Sequence, residues 1–302
     1  MQKVKKSAIL ILLLLLTITT ISLAIFAKKY FQYSIKLPQI SYPKDNLLDK
    51  FISYKAKNKN DQYEEMLRKL KNQHGEFGIY IKNMGTGETY SHNETILLYG
   101  ASLYKVPVAV AVLKQIQDNK LTLDTKLYSK QADYEQGSGI IFTQRLGSSY
   151  TVEQLLKYLI NDSDNMAQNI LLRAVPYLDI ENAFYLGEQK FESKFITENL
   201  TFSSEYGEYL YRINKSNYLN GENKKYLIEL MMNTSFDNRL SAYLDNNLKF
   251  AHKIGNWIDS WHDCGLIFGA NDDYAVCIMS QDMSFEGFLD VSKIVAEFIN
   301  EL

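Results

Sequence analysis

Strand-like alternation occurs in two stretches of this chain, residues 76–91 and 249–279, and the interval between them is helical in period. Strands at both ends with helices between them imply that the termini meet in one antiparallel sheet of about five strands, with the middle packed against it as a helical subdomain, an α+β arrangement. The first stretch divides into strands at 76–82 and 88–91 around Met84-Gly85-Thr86-Gly87. The second divides into strands at 249–254, 263–268 and 274–279, with turns at 256–260 and 270–273. Amphipathic helices flank both stretches. One starts at Asp61 with Tyr63, Met66, Leu67 and Leu70 on one stripe, and the other holds Phe288, Leu289, Val291, Ile294, Val295 and Phe298.

In the middle, Ser102-Leu103-Tyr104-Lys105 opens an apolar run to Leu113 that reads as a buried helix. Its four valines would equally suit a buried strand, and Pro107 is tolerable near a first turn, where at most it kinks the helix. Thr151 with Gln154 forms a capping box for a helix through Val152, Leu155, Leu156 and Leu159. The polar run Asn161-Asp162-Ser163-Asp164-Asn165 then sits between that helix and another carrying Met166, Ile170 and Leu171. Residues 179–201 show no period. Stretches 203–213 and 223–232 look helical, and 236–244 reads as a short helix.

Lys3, Lys5 and Lys6 precede an uncharged run over residues 7–27, and Lys28-Lys29 follow. That length matches a bilayer crossing, and the basic start puts the N-terminus inside and the remainder outside. No A-x-A site is present, so an uncleaved anchor is the first reading and a cleaved signal peptide the second. Residues 1–29 are thus an anchor or signal segment, 30–60 a tether, and 61–302 a folded domain working outside the cytoplasm in either case. A net charge of −2 gives no sign of a nucleic-acid partner. With four histidines outside any H-E-x-x-H spacing, no metal is indicated, and no cofactor is implied. Cys264 and Cys277 fall on neighbouring predicted strands in a register that does not set them opposite, so two half-buried thiols are expected.

A serine at a helix start, with a lysine one turn on, can be a nucleophile with its base, because a desolvated lysine loses its proton near neutral pH. The pattern alone is weak, since Ser41-Tyr42-Pro43-Lys44 repeats it in the tether. It gains weight from Ser163-Asp164-Asn165 and Lys253-Ile254-Gly255, which follow it in order. S-x-x-K, S-D-N and K-T-G are the signature set of class A β-lactamases and penicillin-binding proteins, and residues 61–302 resemble that superfamily. The Gln136-Gly137-Ser138-Gly139 loop, Ala167 and Asn169 after S-D-N, and His262-Asp263 after K-x-G add to the likeness.

The resemblance implies that Ser102 is acylated, that Lys105 takes its proton, and that Ser163 passes a proton to the leaving nitrogen. Asn165 would hold the substrate's amide side chain. Lys253 would draw its carboxylate and lower the pKa of Lys105, with Gly255 beside it in the motif. The N–H groups of Ser102 and Asn256 would form the oxyanion hole. Two departures stand out. Ile254 replaces the usual hydroxyl residue, and no E-x-x-L-N pattern occurs in 179–201 to supply the water-activating glutamate. Glu192 and Glu198 lie in that region, Glu198 being the nearer candidate, although a surface glutamate is the simpler reading of each. The expected activity is that of an extracytoplasmic acyl-serine hydrolase opening a β-lactam amide. The alternatives are a membrane-anchored D,D-carboxypeptidase or penicillin-binding protein acting on the D-Ala-D-Ala ends of peptidoglycan stem peptides, and a slow-turnover β-lactam-binding module.

Overall fold

The computed structural model describes residues 47–188 and 192–302, with backbone alone for 47–57. The chain divides into two compact units at Tyr54/Lys55. Of the first only helical backbone is described, and everything below concerns the second. The basic-flanked run at 7–27, Ser41 and most of the expected tether lie outside the described residues. Among the described residues no helix is long and apolar enough to cross a membrane, and no group of three or more His, Cys, Asp or Glu could hold a metal ion.

Helix α1 spans Leu47–Leu70. It starts fourteen residues before the Asp61 expected from its apolar stripe, because helix propagation needs only one backbone bond per added residue and no apolar period. Strands β1 (Glu76–Asn83) and β2 (Thr89–His92) form the expected hairpin. The short β3 (Leu98–Tyr99) leads through a 3-10 turn, Ala101–Tyr104, into α2 (Lys105–Gln117). The valine-rich run is therefore helix, and Pro107 is its third residue, in the turn where a missing donor matters least. Strands β4 (Lys126–Tyr128) and β5 (Ser149–Thr151) pair beside α3 (Val152–Ile160), whose capping box has both reciprocal bonds. There follow α4 (Asn165–Leu172), α5 (Tyr177–Tyr185), α6 (Phe195–Glu198), β6 (Leu200–Thr201), α7 (Ser203–Lys215) and α8 (Gly221–Met232). Strands β7 (Lys249–Trp257), β8 (Ser260–Phe268) and β9 (Asp273–Gln281) then precede α9 (Phe285–Glu301). The short helix expected at 236–244 is only a 3-10 turn at Leu240–Tyr243.

The main sheet runs β2-β1-β9-β8-β7, so the strands from the two ends of the chain meet at β1 and β9, antiparallel from Glu76↔Gln281 to Asn83↔Tyr274. Period-two alternation divides the side chains between two cores. Val276 and Ile278 face Met66, Leu70, Phe288, Val291 and Val295 of α1 and α9. Ala275, Cys277 and Met279 face the helical subdomain, where the whole apolar run of α2 is buried.

Cys264 and Cys277 are bonded, a correction to the expectation of free thiols. The loop closing β8 and β9 begins one residue earlier than the sequence suggested, with Phe268 opposite Asp273. That shift sets Cys264 directly opposite Cys277, and their sulfurs are joined.

Candidate active site

Strand β7 is an edge strand, and the Ser102 segment lies against its free side. The approach is close enough to require glycine: a Cβ on Gly255 would stand 3.0 Å from the Gly100 carbonyl and 2.7 Å from the His262 ring. His262 completes the join. Its buried ring accepts from Ser280 N at Nδ1 and so donates from Nε2 to the Tyr99 carbonyl at 2.7 Å. Burial, opposed by its backbone bonds, holds its pKa down at about 4, so the ring stays neutral.

Ser102 sits in the 3-10 turn, just after Ala101 at φ +48° and just before α2. Three residues on, Lys105 Nζ returns to within 2.8 Å of Ser102 Oγ. Because α2 is buried throughout, it carries this amine into the core, where Lys105 is 1% exposed. Burial lowers its pKa to about 8, with Glu135 and Asp164 pulling weakly the other way. Two partners of that nitrogen can only accept: Ser163 O at 2.8 Å and Asn165 Oδ1 at 2.7 Å. They take both N–H bonds of the neutral amine, which leaves its lone pair for the Ser102 hydroxyl. The arrangement is that of a serine with a base in place.

Ser163, between α3 and α4, has φ +55°, unusual for a residue with a side chain. Its Oγ stands 3.3 Å from Lys105 Nζ and accepts from Lys253 Nζ at 2.9 Å. Asp164 holds this loop rather than the reacting atoms. It caps α4 through Ala167 N and accepts from Ile140 N at 2.7 Å and Ile141 N at 2.9 Å. Asn165 ties in the opposite wall, since its backbone N–H donates to Ser138 O and its amide to Gln136 O.

Lys253 is fully buried, donating to Ser163 Oγ and to Ile254 O. Burial holds it well below the usual lysine range, and the charges of Lys105 and Arg239 push it further down. Burial is the first cause for each lysine, and like-charge repulsion between them disfavours both ammonium groups together. Ile254 lines the cleft without a hydroxyl. Beside it stands the exposed Asn256 amide, whose Oδ1 accepts from buried Arg239 at 2.7 Å, leaving Nδ2 as the donor facing outward.

These groups line one cleft of about 670 Å³. Ser102, Lys105, Ser163, Asn165 and Asn256 are brought together on its surface, with Lys253 and Gly255 behind them. Glu198 is on the rim, 52% exposed and 3.8 Å from Lys194, and makes no bond to Ser102 or Lys105. Glu192 is exposed and outside the cleft. Behind the nucleophile the wall is apolar and neutral. Phe195 is buried against Gly100, and Asn199 donates to the Ala101 carbonyl at 3.0 Å, with its Oδ1 buried and unpaired. Sequence reasoning assigned no role to Arg239, Glu135, Phe195 or Trp257. Arg239 lies in a stretch misread as helix and Phe195 in one without period, while Tyr99, Glu135 and Trp257 each adjoin a named stretch but stand in no motif.

A sequence model described as the β-lactamase enzyme family matches residues 61–301. Among curated proteins, the β-lactamase VEB-1 of Pseudomonas aeruginosa is 24% identical over 77% of this chain and 83% of its own length. A β-lactamase of Streptomyces lavendulae is 30% identical over 40% of this chain and 41% of its own. Of solved structures, PBP-A superposes with a TM-score of 0.70 at 20% identity, covering 80% of this chain and 97% of that one. The TLA-1 extended-spectrum β-lactamase does so with a TM-score of 0.69 at 20% identity, covering 80% and 99%. These likenesses establish the β-lactamase/transpeptidase-like fold.

Proposed function

The chain belongs to the β-lactamase enzyme family and is a serine β-lactamase-like hydrolase, and on that premise we propose that it acylates readily and releases its acyl group slowly, as a penicillin-binding D,D-peptidase does. Ser102 Oγ attacks the carbonyl of a β-lactam or of a D-Ala-D-Ala end as Lys105 Nζ takes its proton. The backbone N–H groups of Ser102 and Asn256 hold the oxyanion. Ser163, between the two lysines, returns a proton to the leaving nitrogen. One observation carries the slow second half. Among the described residues the four hydrogen-bond partners of Lys105 Nζ are neutral, and no carboxylate bonds to it or to Ser102. Glu135 and Glu198 line the cleft but bond to neither, so a water attacking the ester has no carboxylate base hydrogen-bonded to that pair. A structural neighbour, PBP-A with a leucine replaced by glutamate, is an acyl-enzyme complex with penicillin G, which supports the acyl-serine step here. The basic-flanked run at 7–27 supports placing the domain outside the cytoplasm, held at the membrane.

Intact mass followed against time after mixing with benzylpenicillin tests this reading. A stoichiometric adduct on Ser102 that outlasts many minutes, together with D-Ala release from a D-Ala-D-Ala peptide, is expected. Rapid return of free enzyme would favour a fast lactamase, with Glu198 on the rim as the carboxylate to suspect. No adduct at all would end the acyl-serine reading.

A further inference from the structure

Asn165, Asn169 and Arg173 follow one another at intervals of four along α4 and its C-cap, so they share a face. Asn165 accepts from Lys105 Nζ at 2.7 Å. One turn on, Asn169 uses both amide hydrogens, one on Asp133 O at 3.2 Å and one on Glu135 Oε2 at 2.8 Å. One turn further, Arg173 holds buried Asp133 through both carboxylate oxygens. That pair already locks the loop to α4, so the lock does not need Glu135. Glu135 stands exposed in the cleft with Ser102 and Lys105, and its second oxygen has no hydrogen-bond partner among the described residues. Two carboxylates act on Lys105 through their charge, Glu135 and Asp164. Asp164 is taken up by three backbone donors, which leaves Glu135 as the one with an oxygen to offer. Side chains four apart on a helix stand about 5–6 Å apart at Cβ. The groups they hold, Lys105 and Glu135, are thereby set one turn apart along the cleft, about the span of one bridging water.

Resting on the acyl-serine reading above, we propose that Glu135 is a further catalytic residue, the base for the water that slowly releases the acyl group from Ser102, supplied by the loop before Gln136 and not by residues 179–201. Its free oxygen takes a proton from water as the water oxygen bonds to the acyl carbon, with the oxyanion on the N–H groups of Ser102 and Asn256. The bond from that carbon to Ser102 Oγ then breaks. The proton passes from Glu135 to Oγ through Lys105 Nζ, which leaves the free acid, the serine hydroxyl and the original carboxylate. Release is slow because the carboxylate reaches the ester only through that water and bonds to neither Ser102 nor Lys105. Asn169 is the positioning residue that aims it.

Benzylpenicillin adducts of the natural chain and of Glu135→Gln, freed of excess drug and followed by intact mass, test it. The adduct of Glu135→Gln should live about 10²-fold longer, the lower end of what a positioned general base contributes. Its second-order acylation rate should move by no more than about fivefold, the scale of one exposed charge near Lys105. An adduct that accumulates in Glu135→Gln while the natural chain turns over too fast to show one supports the assignment equally. Glu135→Ala supplies a readout that a structural tie would not move: added formate, a small carboxylate, should shorten the lifetime of its adduct, and chloride at the same ionic strength should not. Equal lifetimes in the natural chain and Glu135→Gln, with adduct formed in both, overturn the assignment and leave the acyl-serine reading standing. A longer lifetime that formate does not shorten would make Glu135 a loop tie only and also overturns it. No adduct in any chain, with the drug left intact, overturns the acyl-serine reading and the assignment together.

Discussion

Lys105 Nζ lies 2.8 Å from Ser102 Oγ, with its other strong contacts taken by two atoms that can only accept. The geometry therefore works as a base only in the neutral form. With a pKa of about 8, roughly a tenth of Lys105 is neutral at pH 7. Acylation by benzylpenicillin should climb with pH through about 8 and level off above it. Lys105→Arg cannot deprotonate and should lose about 10²- to 10⁴-fold with the rise abolished. Adduct mass against time from pH 6 to pH 9.5 checks both, and a flat profile in the natural chain would remove Lys105 as base.

Asp164 belongs to the S-D-N motif yet touches no reacting atom. Its carboxylate satisfies three backbone donors, Ala167, Ile140 and Ile141, with Gly139 pressed against it. Asp164→Ala leaves the buried Ala167 and Ile141 donors without partners and should destabilise the domain by about 2 to 3 kcal/mol, read as a fall in the urea midpoint. Near-unchanged stability with lost acylation would instead give it a chemical role.

Glu198 is the carboxylate that the sequence offered as the deacylating base. Its side chain stands on the exposed rim beside Lys194, so Glu198→Gln should change adduct lifetime by less than about twofold, an exposed pair of this kind being worth little. A severalfold longer lifetime in the variant would show that the loop brings this carboxylate onto the acyl ester.

The division between what the sequence showed and what it hid follows from the physics of each element. The sheet was legible because β1, β7, β8 and β9 each keep a face against a core, so their periods survive. That Ser102, Lys105, Ser163 and Asn165 would meet in one cleft was legible because the motifs fix residue type and spacing. Burial was not. Nothing local says that Lys105 and Lys253 are both carried into the core, where burial lowers both. Register was not legible either, and a shift in the β8–β9 closing pair turned two expected thiols into a disulfide. Phe195 and Arg239 reach the site from stretches without period, across distances that no spacing encodes.

His262 joins β8 to the nucleophile segment as a neutral ring. Its folded pKa of about 4 lies below its unfolded value, so the native state binds fewer protons between them. The stability it contributes is whole above about pH 6.5 and is lost as pH falls towards 4, amounting to about 2 to 3 kcal/mol at pH 4.5. His262→Gln keeps a donor and does not titrate. Urea unfolding at pH 7 and pH 4.5 should show a smaller acid loss in this variant by about that amount, and an equal loss would place the acid sensitivity elsewhere.

Ile258 holds a strained turn at the exposed end of β7. Its φ of +48° in a two-residue turn suits asparagine far better than a β-branched side chain, and with 76% exposure its side chain has little packing to lose. Ile258→Asn should therefore raise stability by about 1 kcal/mol, measured as a higher thermal midpoint. An unchanged or lower midpoint would show that the turn holds no strain that asparagine relieves.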